Sequence, residues 1–224
     1  NPAAGTIESI SKIELKDIEK FISQTVCLEN LIIVAGGDFE LKEFEKLVKP
    51  LLETLNVGKK AQLEEVNFIS KKEEKVLIKD TQQAYIYFGS SFNINSKDEE
   101  NYKAKVASFI LGGSGFGSRL MEEIRVKRGL AYSAYGSISI NKSHSYFNGY
   151  LQTKNETADE AKKLVGEIIE DFVKNGVTND ELSAAKNFLT GSEPLRSETL
   201  SQRLNRAFTL YYRGLEPNYS QKEL

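Results

Sequence analysis

The sequence predicts an α+β domain in which an antiparallel-rich mixed sheet is covered on one face by helices. Two observations predict it. Strand-like apolar runs interleave along the chain with runs of helical spacing, and a β-hairpin follows directly on a pair of helices.

Residues 15–26 have the spacing of a short amphipathic helix. Asn30-Leu31-Ile32-Ile33-Val34-Ala35, bounded by Gly36-Gly37-Asp38, is short and apolar enough to be a buried strand. Leu41, Phe44, Leu47, Val48, Leu51, Leu52 and Leu55 then recur at helical spacing. Residues 56–75 are polar and lysine-rich without a sustained period, as a connector would be. Residues 75–79 and 83–90 read as two strands; in the second, Ala84, Ile86 and Phe88 alternate with Tyr85 and Tyr87. Tyr102, Val106, Phe109 and Ile110 share one helical face, and Leu111-Gly112-Gly113 closes that helix.

After Ser114-Gly115-Phe116-Gly117 a second helix is expected from Ser118, with Phe116, Leu120 and Ile124 as its buried stripe. Glu122 and Glu123 near its start and Lys127 and Arg128 near its end suit the helix dipole, and Gly129 supplies the stop. Residues 131–140 and 146–153 alternate as the two arms of the hairpin. Leu164, Val165, Ile168, Ile169 and Phe172 mark a long helix closed by Asn175-Gly176. Thr178-Asn179-Asp180-Glu181 is a capping box for the next, and Leu200, Leu204, Ala207, Phe208 and Tyr211 mark the last complete one. Gly5-Thr6-Ile7-Glu8 is faintly echoed by Gly214-Leu215-Glu216-Pro217, as in a parent built by duplication.

Composition excludes several function classes. A chain of 224 residues buries roughly 70% of its extended surface, so it needs neither disulfides nor metals to fold. Thirty basic residues against 32 acidic ones leave a net charge of -2, which argues against nucleic-acid and anionic-membrane partners. No run approaches the length of a membrane span. Cys27 is the only cysteine, so no intrachain disulfide or Cys-rich metal site can form. The compartment is left open.

His144 is the only histidine and sits in the hairpin turn between Ser143 and Ser145, where a solvent-facing side chain is expected. A catalytic zinc takes three protein ligands, usually including two histidines, so no zinc site is expected in this chain. Ser-His and Cys-His nucleophiles meet the same obstacle. The acidic pairs Glu64-Glu65, Glu73-Glu74 and Glu122-Glu123 are accounted for by solvation and helix dipoles. The segment Gly112-Gly113-Ser114-Gly115-Phe116-Gly117 lacks both the Walker and the dinucleotide pattern; it is a helix–helix corner or a ligand loop. Arg125 near a helix end and Tyr132 seven residues later can converge across the Gly129 turn. Together they would offer a fork of N–H donors and a phenol to a peptide carbonyl or its oxyanion. Dipole capping by Arg125 and core packing by Tyr132 is the other reading.

The run from Leu111 through Arg119-Leu120, followed by Glu123-Ile124-Arg125-Val126-Lys127-Arg128-Gly129-Leu130-Ala131-Tyr132-Ser133, closely resembles the pitrilysin/insulinase family of zinc metallopeptidases. Mitochondrial processing peptidase belongs to that family, as do non-catalytic core subunits of respiratory complex III. Glu29-Asn30-Leu31-Ile32-Ile33-Val34 with Gly37-Asp38, Gln83-Ala84-Tyr85-Ile86 and Val177-Thr178 with Glu181-Leu182 extend the resemblance over nearly the whole chain.

The resemblance implies one of two similar α+β halves. The other half carries His-x-x-Glu-His and the zinc; this chain matches the half without it. Residues 1–26 would be the end of the preceding half with a linker helix, and 27–224 the C-terminal domain, cut short at its end. Starting at Asn1 and stopping within an amphipathic pattern, the chain reads as cut at both ends. The resemblance places substrate-backbone binding near the scissile bond on Arg125 and Tyr132. It assigns substrate handling to the glycine-rich loop, here Gly112, Gly113, Ser114 and Gly115.

The implied function is the substrate-binding half of a bacterial zinc endopeptidase that cleaves unfolded peptides in a closed chamber, this chain alone being inactive. Its partners would be the peptide, a zinc-bearing half in cis or zinc-bearing subunit in trans, and a second copy of the parent. The alternative is a non-catalytic scaffold or partner subunit of the same family. A β-sheet RNA-binding domain using Tyr85, Tyr87 and Tyr135 is disfavoured by the balanced charge and the missing ribonucleoprotein motif.

Overall fold

The computed structural model describes residues 4–64, 66 and 71–219. The chain divides into two compact units, residues 1–63 with 199–208, and residues 64–198 with 209–224.

The first unit contains helices α1 (Ile7–Ile10), α2 (Leu15–Thr25) and α3 (Leu41–Glu53). α2 and α3 lie where apolar periodicity predicts them. Cys27 is buried beside Asn30, whose amide donates to Thr25 O at 3.1 Å while its carbonyl oxygen accepts from Ala61 N at 2.6 Å. Leu28 N and Glu29 N donate to Asn56 O and Val57 O, so the end of α2 is tied to the chain beyond α3. Residues 31–35 alternate in exposure as a strand would, yet form no ladder among the described residues. The strand expected there is therefore an extended segment: alternation sets the backbone, but only a partner supplies the hydrogen bonds.

In the second unit, β1 (Gln83–Phe92) precedes α4 (Asn101–Ser108), β2 (Ala131–Ile140) and β3 (Ser145–Lys154), and α5 (Ala158–Asn175) and α6 (Asn179–Ser192) follow. α7 (Leu200–Arg213) contributes to both units. The strand expected at 75–79 is absent; Val76, Leu77 and Ile78 are 72%, 83% and 92% exposed and have no ladder. The three strands run in the order β1-β3-β2, both neighbouring pairs antiparallel.

One face of the sheet is covered. Ala131, Ala134 and Leu151 join Leu111, Leu120, Ile124, Ala161, Leu164, Val165 and Ile168 in a single buried cluster. The other face is open, and its middle row is three tyrosines. Tyr150 on β3 pairs in register with Tyr87 on one side and Tyr135 on the other, and the Tyr87 and Tyr150 rings stack at 6.0 Å. Thr178 Oγ1 accepts from Glu181 N at 3.2 Å as α6 begins, the expected capping box. No described helix is long and apolar enough to cross a membrane.

Candidate functional site

The glycine-rich corner lies between two π-helical turns, Phe109–Gly113 and Met121–Val126. Gly112 is buried where an added Cβ would stand 2.5 Å from Gly136 N and 2.8 Å from Gly136 O. The π turn and strand β2 meet backbone to backbone there, which only glycine allows. An added Cβ at Gly113 would meet Ser108 O at 3.0 Å, and Ser114 Oγ is buried without a partner among the described residues. Gly115 and Gly117 have φ of +67° and +96° with open space around both.

Two left-handed residues flanking one ring turn that ring out of the helical path. Phe116 is 68% exposed, whereas Leu120 and Ile124 are completely buried. The expected stripe is thus corrected at its first position, because the helix begins only at Arg119. Ser118 starts it from a buried position: its Oγ donates to Gly115 O at 2.8 Å and accepts from Met121 N at 3.4 Å.

Arg125 lies in the second π turn, where Lys127 N reaches back to Glu122 O at 2.9 Å. A π turn holds one extra residue and redirects the side chains around it. Tyr132 is redirected by a different device. Pairing between β2 and β3 steps from Ala131↔Thr153 to Ser133↔Gln152, leaving Tyr132 as the unpaired residue of a β-bulge. Ala131 and Ala134 can then both face the core while Tyr132 stands 79% exposed.

These irregularities converge. The Arg125 guanidinium carbon is 4.7 Å from the centroid of Tyr132 and 4.7 Å from that of Phe116. The structure brings together the two residues predicted as a pair and adds a third. Phe116 was missed because it was assigned to the apolar stripe; the Gly-Phe-Gly spacing was the available signal against that assignment.

The surrounding charges isolate Arg125 further. Glu123 accepts from Lys127 Nζ and Arg128 Nη1, each at 2.6 Å. Hydrogen bonds from Lys127 and then Arg128 hold its carboxyl below the usual range. No hydrogen bond or ion pair engages the Arg125 guanidinium among the described residues, so its N–H edges remain available as donors. The arrangement can grip a carbonyl or carboxylate oxygen while aromatic rings hold the cation.

A zinc ion does not fit these residues. His144 lies in the β2–β3 turn, half-buried rather than solvent-facing, with its ring stacked on Tyr146 at 5.7 Å and Nδ1 2.8 Å from Ser143 Oγ. No three His, Cys, Asp or Glu side chains gather as a metal site among the described residues.

Residues 12–189 match the family described as the peptidase M16 inactive domain. The chain is 45% identical over 221 residues to a Helicobacter pylori protein named a non-peptidase homolog, covering 99% of this chain and 51% of that protein. It is 25% identical to an uncharacterized zinc protease of Streptomyces coelicolor, over 92% of this chain and 46% of the relative. The crystal structure of a peptidase M16 inactive domain from Pseudomonas fluorescens superposes with a TM-score of 0.87 at 25% identity, over 100% of this chain and 53% of that one. A protease from Helicobacter pylori shares the fold at a TM-score of 0.80 and 20% identity, over 98% of this chain and 54% of that one. The chain spans about half the length of the curated relatives it matches.

Proposed function

The chain belongs to the pitrilysin/insulinase peptidase family as an M16 inactive domain, and on that premise we propose that it is the peptide-gripping, zinc-free half of a non-catalytic partner subunit. The observation that carries the reading is the Arg125 guanidinium lying 4.7 Å over the Tyr132 ring with its N–H donors unclaimed among the described residues. A scaffold alone has no use for a half-buried cation that no carboxylate engages among the described residues, while its neighbours Lys127 and Arg128 share the carboxylate of Glu123. The name of the 45%-identical relative, a non-peptidase homolog, favours a non-catalytic subunit over the half of a zinc endopeptidase, with its zinc in cis or in trans, that the resemblance implies.

In this reading Arg125 donates from its edge to a backbone carbonyl, and the Tyr132 hydroxyl donates to the same oxygen or the next. The Gly112–Gly115 stretch shapes the corner beside them. Bond cleavage belongs to a zinc-bearing family member that the subunit meets, in trans. The balanced charge of -2 suits unfolded peptides of mixed sequence.

The test uses the full-length protein that contains this sequence. Metal analysis should find no stoichiometric zinc, and a quenched fluorescent peptide should stay intact with the protein alone. Adding a zinc-bearing family subunit from the same genome should produce cleavage exceeding that of the subunit by itself. Stoichiometric zinc with hydrolysis by the protein alone would return the parent to a self-contained peptidase. No gain on mixing would remove the partner role.

A further inference from the structure

Phe116 has no place in the core, and its position is costly to arrange. It stands 68% exposed between two glycines in left-handed conformations, 4.7 Å from the guanidinium of the one arginine assigned to peptide binding. An exposed phenylalanine contributes little to folding. A phenylalanine against an arginine restricts where that arginine points.

We infer that Phe116 is a positioning residue for peptide binding: with Tyr132 it holds the Arg125 guanidinium so that only the N–H edges face the ligand. This rests on the reading of Arg125 and Tyr132 as the peptide grip. It gives the glycine-rich corner a task distinct from direct contact with substrate. Gly112 fixes the corner against Gly136. Gly115 and Gly117 supply the turns that present the ring, with nothing nearby to hold it by packing on the glycines themselves.

The geometry also selects a ligand chemistry. A long arginine side chain in water samples many rotamers, and fixing it on binding costs affinity. Two aromatic contacts restrict it beforehand. Donors confined to the edge suit acceptors approaching in the guanidinium plane, as backbone carbonyl oxygens do, and disfavour aromatic ligand side chains that would need its flat surface.

The experiment compares Phe116→Leu, Phe116→Tyr and Arg125→Ala with the unaltered sequence, each in the full-length protein that contains it. The first readout is the Arg125 Nε–H resonance in a proton–nitrogen spectrum, which adjacent rings shift by their ring currents. The second is the affinity for a fluorescein-labelled unfolded peptide of neutral, mixed sequence, read by anisotropy. Phe116→Leu should move the Arg125 resonance toward its free-arginine position and weaken the peptide by about tenfold, with an unchanged melting temperature. Phe116→Tyr, which keeps a ring, should restore both. Loss of affinity with Arg125→Ala but not with Phe116→Leu would overturn the inference and spare the reading beneath it. Unchanged affinity with Arg125→Ala would overturn both.

Discussion

Arg119 and Glu181 are joined by a two-point ion pair, Nε to Oε1 at 2.5 Å and Nη2 to Oε2 at 2.7 Å, across 62 residues of sequence. The same guanidinium donates to Gly176 O at 2.7 Å and Asp171 Oδ2 at 3.1 Å, and lies 5.1 Å from the Phe172 ring centroid. One side chain at the start of the site helix thereby holds the corner between α5 and α6. Arg119→Ala should destabilise the chain by about 3 kcal/mol in urea unfolding, because the carboxylate and the carbonyl lose their donor together. Arg119→Lys should recover little, since a single ammonium cannot reproduce the fork.

The same pair predicts a pH dependence. The hydrogen bond from Arg119, helped by those from Thr178, lowers the Glu181 pKa from 4.5 to about 2. A carboxyl depressed in the folded state stabilises fully above its unfolded value and loses that contribution as pH falls through the folded one. Stability should therefore decline between about pH 4.5 and about pH 2 through this group. Glu181→Gln should flatten that part of the melting-temperature profile; an identical slope in both proteins would count against the pair.

Gly112→Ala should cost about 3 kcal/mol. The new methyl would sit 2.5 Å from Gly136 N and 2.8 Å from Gly136 O, backbone atoms that cannot turn aside as a flexible side chain would. A thermal melt followed by circular dichroism checks this. Gly166→Ala in α5, where the surroundings of the added carbon are open, serves as the control and should be neutral or slightly stabilising.

Arg125→Ala should lower peptide turnover by roughly 100-fold when the full-length protein is mixed with a zinc-bearing family subunit. The melting temperature should stay unchanged, as no hydrogen bond to that guanidinium is lost among the described residues. Tyr132→Phe keeps the ring beside Arg125 and removes only the hydroxyl. It should lower turnover less than Arg125→Ala does; equal turnover in Tyr132→Phe and the unaltered protein would confine Tyr132 to holding the arginine.

Much of the fold is legible in periodicity. The helices α2, α3, α5 and α6, the hairpin and the Thr178 cap lie where spacing and capping chemistry put them, because local physics decides each. What escapes is decided between distant residues. Nothing local tells Ile32-Ile33-Val34 or Val76-Leu77-Ile78 whether a partner strand will be present. The Arg119–Glu181 pair has no trace in any window shorter than 62 residues. At the site, family resemblance singles out Arg125 and Tyr132, and the structure brings them together. The bulge that turns Tyr132 outward is invisible in a sequence that alternates either way, and Phe116 was hidden by its own hydrophobicity.

The tyrosine row on the open sheet face doubles as an optical probe. The chain contains ten tyrosines and no tryptophan, so phenols dominate its intrinsic ultraviolet emission. Tyr87, Tyr150 and Tyr135 stand side by side across three strands, Tyr87 and Tyr150 near enough for excitation to pass between them. A polypeptide laid over that face would alter both the solvent around the rings and the exchange between them. Its arrival can be followed without any label, and Tyr150→Phe, which breaks the row at its centre, would show how much of the signal originates there.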